Sequence, residues 1–485
     1  MHVSRRSFVK TVGAALGVAP FVSYSFPLRQ NPALEAKIST MAKALLQCSR
    51  NEALPVAVQL MKDGADWRQL LNAVLVAGAM EVQPKPVGFK LHALMVVGSA
   101  HQLAEVSTER QQQATALFCV DQLKRSQQLD KNEGDWVLPE APNVSFGQED
   151  ARMAFISAME NWHQEEADRA ITALHRFLDQ PTLFELLWPY AVRDFNDIGH
   201  KAIFTAQVHY SLSQMPWNAA LPVLRSLVKG LLDEPAIPHY KDFVLNKARV
   251  QRLNRDWMDG NRDHQASIHL LKKLRVADSA EAAALTAELL GDGVHPQSIW
   301  DGIRLFAGET LFRRPGLLPV HSATAANAMQ MAYTLTTQSQ TRALCLMQAA
   351  SWMSLMRQFL EKNRLFTTDG PGLDSLQPIK SAKINVNEIF QKAATNHREA
   401  GSMLLTLLKE PGSEDRVKAE MRSLLTSRGN EHHHYKYTAA VHMDFHATAP
   451  QVAGHVLAAG LGYTPNLQNP KSKIYQRITA LLEPK

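Results

Sequence analysis

The chain has 485 residues, 45% hydrophobic and 20% charged, a composition ordinary for a globular protein and long enough for two domains or one large helical array. Its formal charge of +6 rests partly on residues 1–26, which hold Arg5, Arg6 and Lys10 and no acid, leaving 49 basic and 46 acidic side chains elsewhere. No Lys/Arg stripe interleaved with aromatics stands out, which argues against nucleic acid as the main partner; three scattered cysteines without C-x-x-C spacing argue against a disulfide framework or covalent haem, and read as small buried hydrophobes.

The first element is "MHVSRRSFVKTVGAALGVAPFVS", a basic segment followed by an apolar run too short and too rich in Gly and Ala for a typical membrane span. Within it, Ser4-Arg5-Arg6-Ser7-Phe8-Val9-Lys10 resembles the twin-arginine export signal S-R-R-x-F-L-K, with Val for Leu. The resemblance implies passage through the twin-arginine machinery across the bacterial inner membrane, to a periplasmic or extracellular destination. No integral membrane span is expected after residues 1–26 are removed. Because that route carries folded proteins, often with a cofactor already inserted, the resemblance also raises the prospect of a bound metal.

From residue 27 onward the sequence reads as helix after helix. "NPALEAKISTMAKALLQC", "ERQQQATALFCVDQLKRS", "EEADRAITALHRFLDQ", "PVLRSLVKGLLDE", "SAEAAALTAELLGDG" and "REAGSMLLTLLKE" all space apolar residues three to four apart, with charges opposite. Several run into Gly or Pro, as helix stops do. Alternating strand patterns are scarce, so the fold class is all-α. Polar stretches Lys131–Asp150, Asp256–Ser267 and Phe366–Lys383 read as long loops or linkers.

Two internal echoes organise this array. Residues 64–101 align without a gap on 293–330, with Gly64, Pro86 and His92 on Gly293, Pro315 and His321. "HKAIFTAQVH" (His200–His209) is echoed by "HHYKYTAAVH" (His433–His442), with both outer histidines, Thr205/Thr438, Ala206/Ala439 and Val208/Val441 matched. The offsets are 229 and 233, nearly equal. We therefore expect a multi-helical array built by internal duplication into two pseudo-symmetric halves, 27–250 and 281–485, with 251–280 as the linker.

Duplication singles out four equivalent histidines, His92, His200, His321 and His433, each after a loop and near a helix start. Neutral imidazole is the commonest metal ligand, and four on rigid helices would suit a transition metal such as iron, copper or zinc. Their acceptor candidates include Glu81, Asp194, Asp197, Glu309 and Glu431. The partner nine residues on is different: nine steps of ~100° make two and a half turns, so His101, His209 and His442 point away from the first histidine of each pair. These second histidines read as structural or supporting. His442 and His446, four apart, share a helix face and could chelate by themselves. Asp197, Lys201, Glu309, His434, Lys436 and His442 are the remaining candidates for supporting the centre or touching substrate, the lysines through an anionic group. No G-x-S-x-G, Walker A, strand-borne G-x-G-x-x-G or H-E-x-x-H occurs.

The His-bearing helices with "KYTAAVHMDFHATAPQVAGHVLAAGL" resemble, in patches around His200, His321 and His433, the C-terminal part of questin oxidase-like proteins, a mostly helical family. That likeness implies oxidative chemistry on an apolar, aromatic-type small molecule and assigns no catalytic residue. Two readings stand at this point. One is an exported oxidoreductase with a His-lined metal site between its halves; the other is a non-catalytic helical array that binds a partner and uses its histidines for packing and caps.

Overall fold

The computed structural model describes residues 31–233, 240–380 and 383–483; the segment resembling an export signal lies outside the described residues. Among those described, the chain is all-helical, with an isolated bridge between Asn261 and Val294 as its β-structure. No described helix is long and apolar enough to cross a membrane.

The N-terminal part runs α1 (Pro32–Gln47), α2 (Arg50–Lys62) and α3 (Trp67–Glu81), then a 3-10 turn (Phe89–Leu91) leading into α4 (His92–Glu105). It continues through α5 (Glu109–Glu133), α6 (Gln148–Glu160), α7 (Gln164–Phe177), α8 (Gln180–Ala191), α9 (His200–Leu212), α10 (Leu221–Leu231) and α11 (Tyr240–Val250). The second part holds α12 (His264–Leu274), α13 (Ser279–Gly291), α14 (Pro296–Arg313), α15 (Val320–Leu335) and α16 (Ser339–Lys362). It ends with α17 (Val386–Ala393), α18 (His397–Leu407), α19 (Ser413–Arg428), α20 (His432–Ala447), α21 (Pro450–Ala459) and α22 (Lys473–Leu482).

Local chemistry explains these starts. Ser49, Asp66, Thr108, Asp278 and Asn385 each form a reciprocal cap with a Glu or Gln three residues into the helix. Pro32, Pro296 and Pro450 sit at first helical positions, where the missing N–H costs nothing. The same chemistry shortens the expected loops. Asp263, expected inside a loop, accepts from the backbone N–H of Gln265 at 2.7 Å and of Ala266 at 3.2 Å, starting α12. The stretch 251–280, expected as a linker, therefore contains a helix that packs on α14.

Four helices form the centre. α4 packs on α9 and α20, and α15 packs on the same two, closing a ring. Buried positions take 12 of the 14 residues in α4 and 12 of the 13 in α9, so neither has a solvated face. Helices buried on every side belong in an interior; their polar side chains, such as Lys201 on Asp194 and His101 on Asn72, are satisfied there by buried partners. Cys119 and Cys345 are buried and Cys48 is half-buried, all as free thiols.

The loop entering α4 is pinned from beneath. Buried Lys90 meets Asp130 at 2.9 Å and Glu133 at 2.7 Å, while Asp130 also accepts from the backbone N–H of Gln83 and Trp136. Removing one partner of a buried pair leaves the other charge uncompensated. Lys90→Met should lower unfolding free energy by about 3 kcal/mol, the low end for a buried pair because Asp130 keeps two backbone donors. Urea denaturation followed by far-UV circular dichroism reads this; an unchanged midpoint would show that the pair does not pin the loop.

Candidate metal centre

The ring of central helices brings its four N-terminal histidines together. One ligating nitrogen from each of His92, His200, His321 and His433 lies within 4.8 Å of all the others, and all four residues are buried. Adjacent ring centroids are 4.7 Å (His92–His200), 4.7 Å (His200–His321), 5.0 Å (His321–His433) and 4.5 Å (His433–His92) apart. The His92–His321 diagonal is 6.4 Å. The rings thus follow the cyclic order of their helices, with this diagonal longer than any edge.

Each imidazole is oriented through its far nitrogen. Nδ1 of His92 donates to the Phe89 carbonyl at 2.7 Å, that of His200 to the Asp197 carbonyl at 2.6 Å, and that of His321 to the Leu317 carbonyl at 2.8 Å. His433 differs: its Nδ1 donates to the Glu431 carboxylate at 2.8 Å, whose other oxygen accepts from Tyr463 Oη at 2.7 Å. A carbonyl only accepts, so the single proton of a neutral ring must sit on Nδ1, leaving a lone pair on Nε2. Those lone pairs face one another: His200 Nε2 lies 3.1 Å from His92 Nε2 and 3.0 Å from His321 Nε2. The Nε2 of His433 is buried without a hydrogen-bond partner.

Protonation cannot relieve this arrangement at neutral pH. Burial holds His92, His200 and His433 far below the usual imidazole range and brings His321 down to about 3; the Lys436 charge pushes all four further the same way. The set of four neutral nitrogens with pre-oriented lone pairs could hold a metal ion.

Local backbone geometry places the rings. Gly88, at φ 117°, is required because an added Cβ would stand 2.9 Å from His200 Nδ1 and Cε1. Gly199, at φ 88°, lets α9 start against α15, where a Cβ would come 2.7 Å from that of Ala325. Asp197 then caps α9, its carboxylate accepting from the N–H of Gly199 and Lys201 at 3.0 Å each. Burial raises that carboxyl to about 7.

The other candidates divide. Lys436 is buried one turn beyond His432 and His433, its Nζ has no hydrogen-bond partner, and burial lowers its pKa to about 7. His434 packs on Tyr463 with its Nε2 3.8 Å from Glu431. Lys201 turns to Asp194 at 2.9 Å and the Asp233 carbonyl at 2.7 Å, a buried ion pair away from the four rings. Glu309 is taken by Arg275, Arg313 and the Leu373 N–H. His442 is buried beside Arg422, Lys418 and His446, outside the four-ring set, and His446 meets Lys418 at 2.9 Å. As helix geometry requires, His101 and His209 point elsewhere: His101 bonds Asn72 at 3.1 Å, and His209 packs on Phe184 and Trp188.

Sequence reasoning missed His432, whose ring centroid is 4.2 Å from that of His92 and 4.4 Å from that of His433. It lies in the "EHHH" run, where register alone did not separate it from surface. Comparison of the chain with protein-family models, curated proteins and solved structures finds no match.

The burial of neutral imidazoles sets a pH dependence. The folded-state pKa values of His101, His209 and His321 fall from 6.5 to about 3, so below about 6.5 the unfolded chain binds protons that the folded chain does not. Stability from these rings is complete above about pH 6.5 and is lost on acidification, at up to ~1.4 kcal/mol per pH unit for each ring. Urea midpoints of metal-free protein should therefore drop steeply as pH falls below about 6.5. A flat profile down to about pH 4 would mean that the rings are not buried and neutral.

Proposed function

We propose that the four histidines hold a redox-active transition metal and that the protein is an exported oxidoreductase acting on an apolar or aromatic small molecule. One observation carries the metal: each imidazole has one N–H, the three carbonyl-held rings spend theirs at Nδ1, and Nε2 lone pairs meet at 3.0–3.1 Å. Two such lone pairs repel unless a cation lies between them. The reading of the histidines as packing and caps accounts for the Nδ1 bonds and leaves the facing Nε2 atoms unexplained. The cyclic arrangement of rings, with adjacent centroids 4.5–5.0 Å apart and a longer 6.4 Å diagonal, supports copper or iron over tetrahedral zinc. Such a metal would supply one-electron chemistry. An apolar substrate is supported by Phe89 and Leu317, 77% and 52% exposed, whose carbonyls hold His92 and His321.

Internal duplication is part of this reading, and matched element boundaries support it. α2 and α13 begin and end 229 residues apart, at Arg50/Ser279 and Lys62/Gly291, and α5 and α16 end at Glu133/Lys362 with the same offset. α7/α18 and α8/α19 begin 233 apart. Partners match as well: α1 on α3 with α12 on α14, α2 on α5 with α13 on α16, α3 on α10 with α14 on α21. Asn72 donates to the Gln214 carbonyl, and Arg304 and Gln297, bonded to Asp301, donate to the Ala447 carbonyl; 72/301 and 214/447 carry the two offsets. Each half then supplies two ligands to a site on the pseudo-twofold axis, as in helical bundles.

Elemental analysis of untagged protein should find about one copper or iron per chain. Single His→Ala changes at 92, 200, 321 and 433 should each remove most of it, the duplicated pair His92 and His321 to the same extent, whereas His101→Ala and His209→Ala should keep it. Metal absent from the wild type, or retained in all four ligand variants, would sink the centre.

Export is testable independently of the metal. Replacing Arg5 and Arg6 with Lys should strand the protein in the cytoplasm of a bacterial host, as read by cell fractionation. Undiminished export of that variant would remove the twin-arginine assignment.

A further inference from the structure

The four-histidine centre is short of negative charge. Neutral imidazoles bring none to a metal ion, and the four rings all sit at helix starts, where backbone N–H groups and the helix dipole add partial positive charge. Among neighbouring acids, Glu431 is occupied by His433 and Tyr463, and Asp197 by the cap of α9. Into this setting the chain places Lys436, 1% exposed, with an amine that no oxygen or nitrogen accepts from. An amine buried without an acceptor is costly, and the chain tolerates it here alone among the described lysines.

Register aims it. Lys436 lies three residues after His433 and four after His432 on α20, so the three side chains share one face of that helix. Its charge acts on all four rings of the centre and on His432. His432 lies against the His92–His433 edge of the centre, its ring centroid 4.2 Å and 4.4 Å from theirs.

We propose that Lys436 holds a small monoanion against the four-histidine centre on its α20 side, donating to it while the anion's other end faces the metal. This rests on the metal reading above. The cluster's burial, with His92 at 4%, His200 at 6% and His433 at 4% exposure, restricts the ligand to a few atoms, the size of hydroxide, azide or formate. The anion offsets both the metal and the ammonium, and it gives Lys436 the acceptor that the protein withholds.

The test uses full-length protein loaded with Cu(II), titrated with azide and followed by its ligand-to-metal charge-transfer band. Wild type should bind azide saturably. Lys436→Met should keep its copper and its far-UV circular dichroism while the azide Kd rises at least about tenfold, a typical loss for one charge-assisted donor; Lys436→Arg should restore part of the affinity. Copper-loaded wild type that does not bind azide, or Lys436→Met with wild-type azide affinity, overturns the anion site and leaves the metal centre standing. A wild type that takes up no copper or iron overturns the metal centre, and this proposal with it. Should Lys436→Met fail to fold, the wild-type titration still decides whether the anion binds, and Lys436→Gln takes over the affinity comparison.

Discussion

A neutral imidazole has one proton to give, and the centre of this protein is built on that shortage. Four rings meet at a point, and the carbonyls of Phe89, Asp197 and Leu317 have already claimed the protons of three of them. What remains at the meeting point is a set of lone pairs with nothing to bind except a cation. Burial closes the alternative of protonating the rings, because the interior penalises a charged imidazole more than it rewards it. The helical ring, the left-handed glycines at its corners and the Lys90–Asp130 anchor all serve to hold that unstable meeting in place.

The arrangement is asymmetric in one respect. Three ligand rings lean on backbone carbonyls, which cannot change charge, and His433 leans on the carboxylate of Glu431, itself held by Tyr463. A carboxylate partner makes its imidazole a stronger donor than a carbonyl does. The His433 arm is thus electronically distinct from the other three, and it sits on the same helix as His432 and the unpartnered Lys436. Chemical variety gathers on α20, whereas α4, α9 and α15 supply rings held by backbone carbonyls alone.

Much of the centre was legible in the sequence because its key residues are spaced by covalent register. Helical periodicity gives the all-α class, and the nine-residue step separates His92, His200 and His433 from His101, His209 and His442. The partners that orient the rings were not legible, since a backbone carbonyl has no letter of its own. Glu309 and Lys201 were candidates by proximity along the chain; in space, stronger partners, Arg275 with Arg313 and Asp194, take them. His432 was lost in a run of like residues, where only the orientation of the first helical turn tells which ring faces inward. Asp263 read as loop and proved a cap, because the same polar side chain serves both.

The four rings come from helices that begin at residues 92, 200, 320 and 432. The last of the four histidines is therefore made after the other three, and its helix must dock on α4, the earliest of the four, for the ring to close. A growing chain that stops short of α20 holds at most three of these histidines. Assembly of the four-ring cluster is thereby timed to the docking of α20, and a chain that stalls or misfolds before that step keeps its histidines apart.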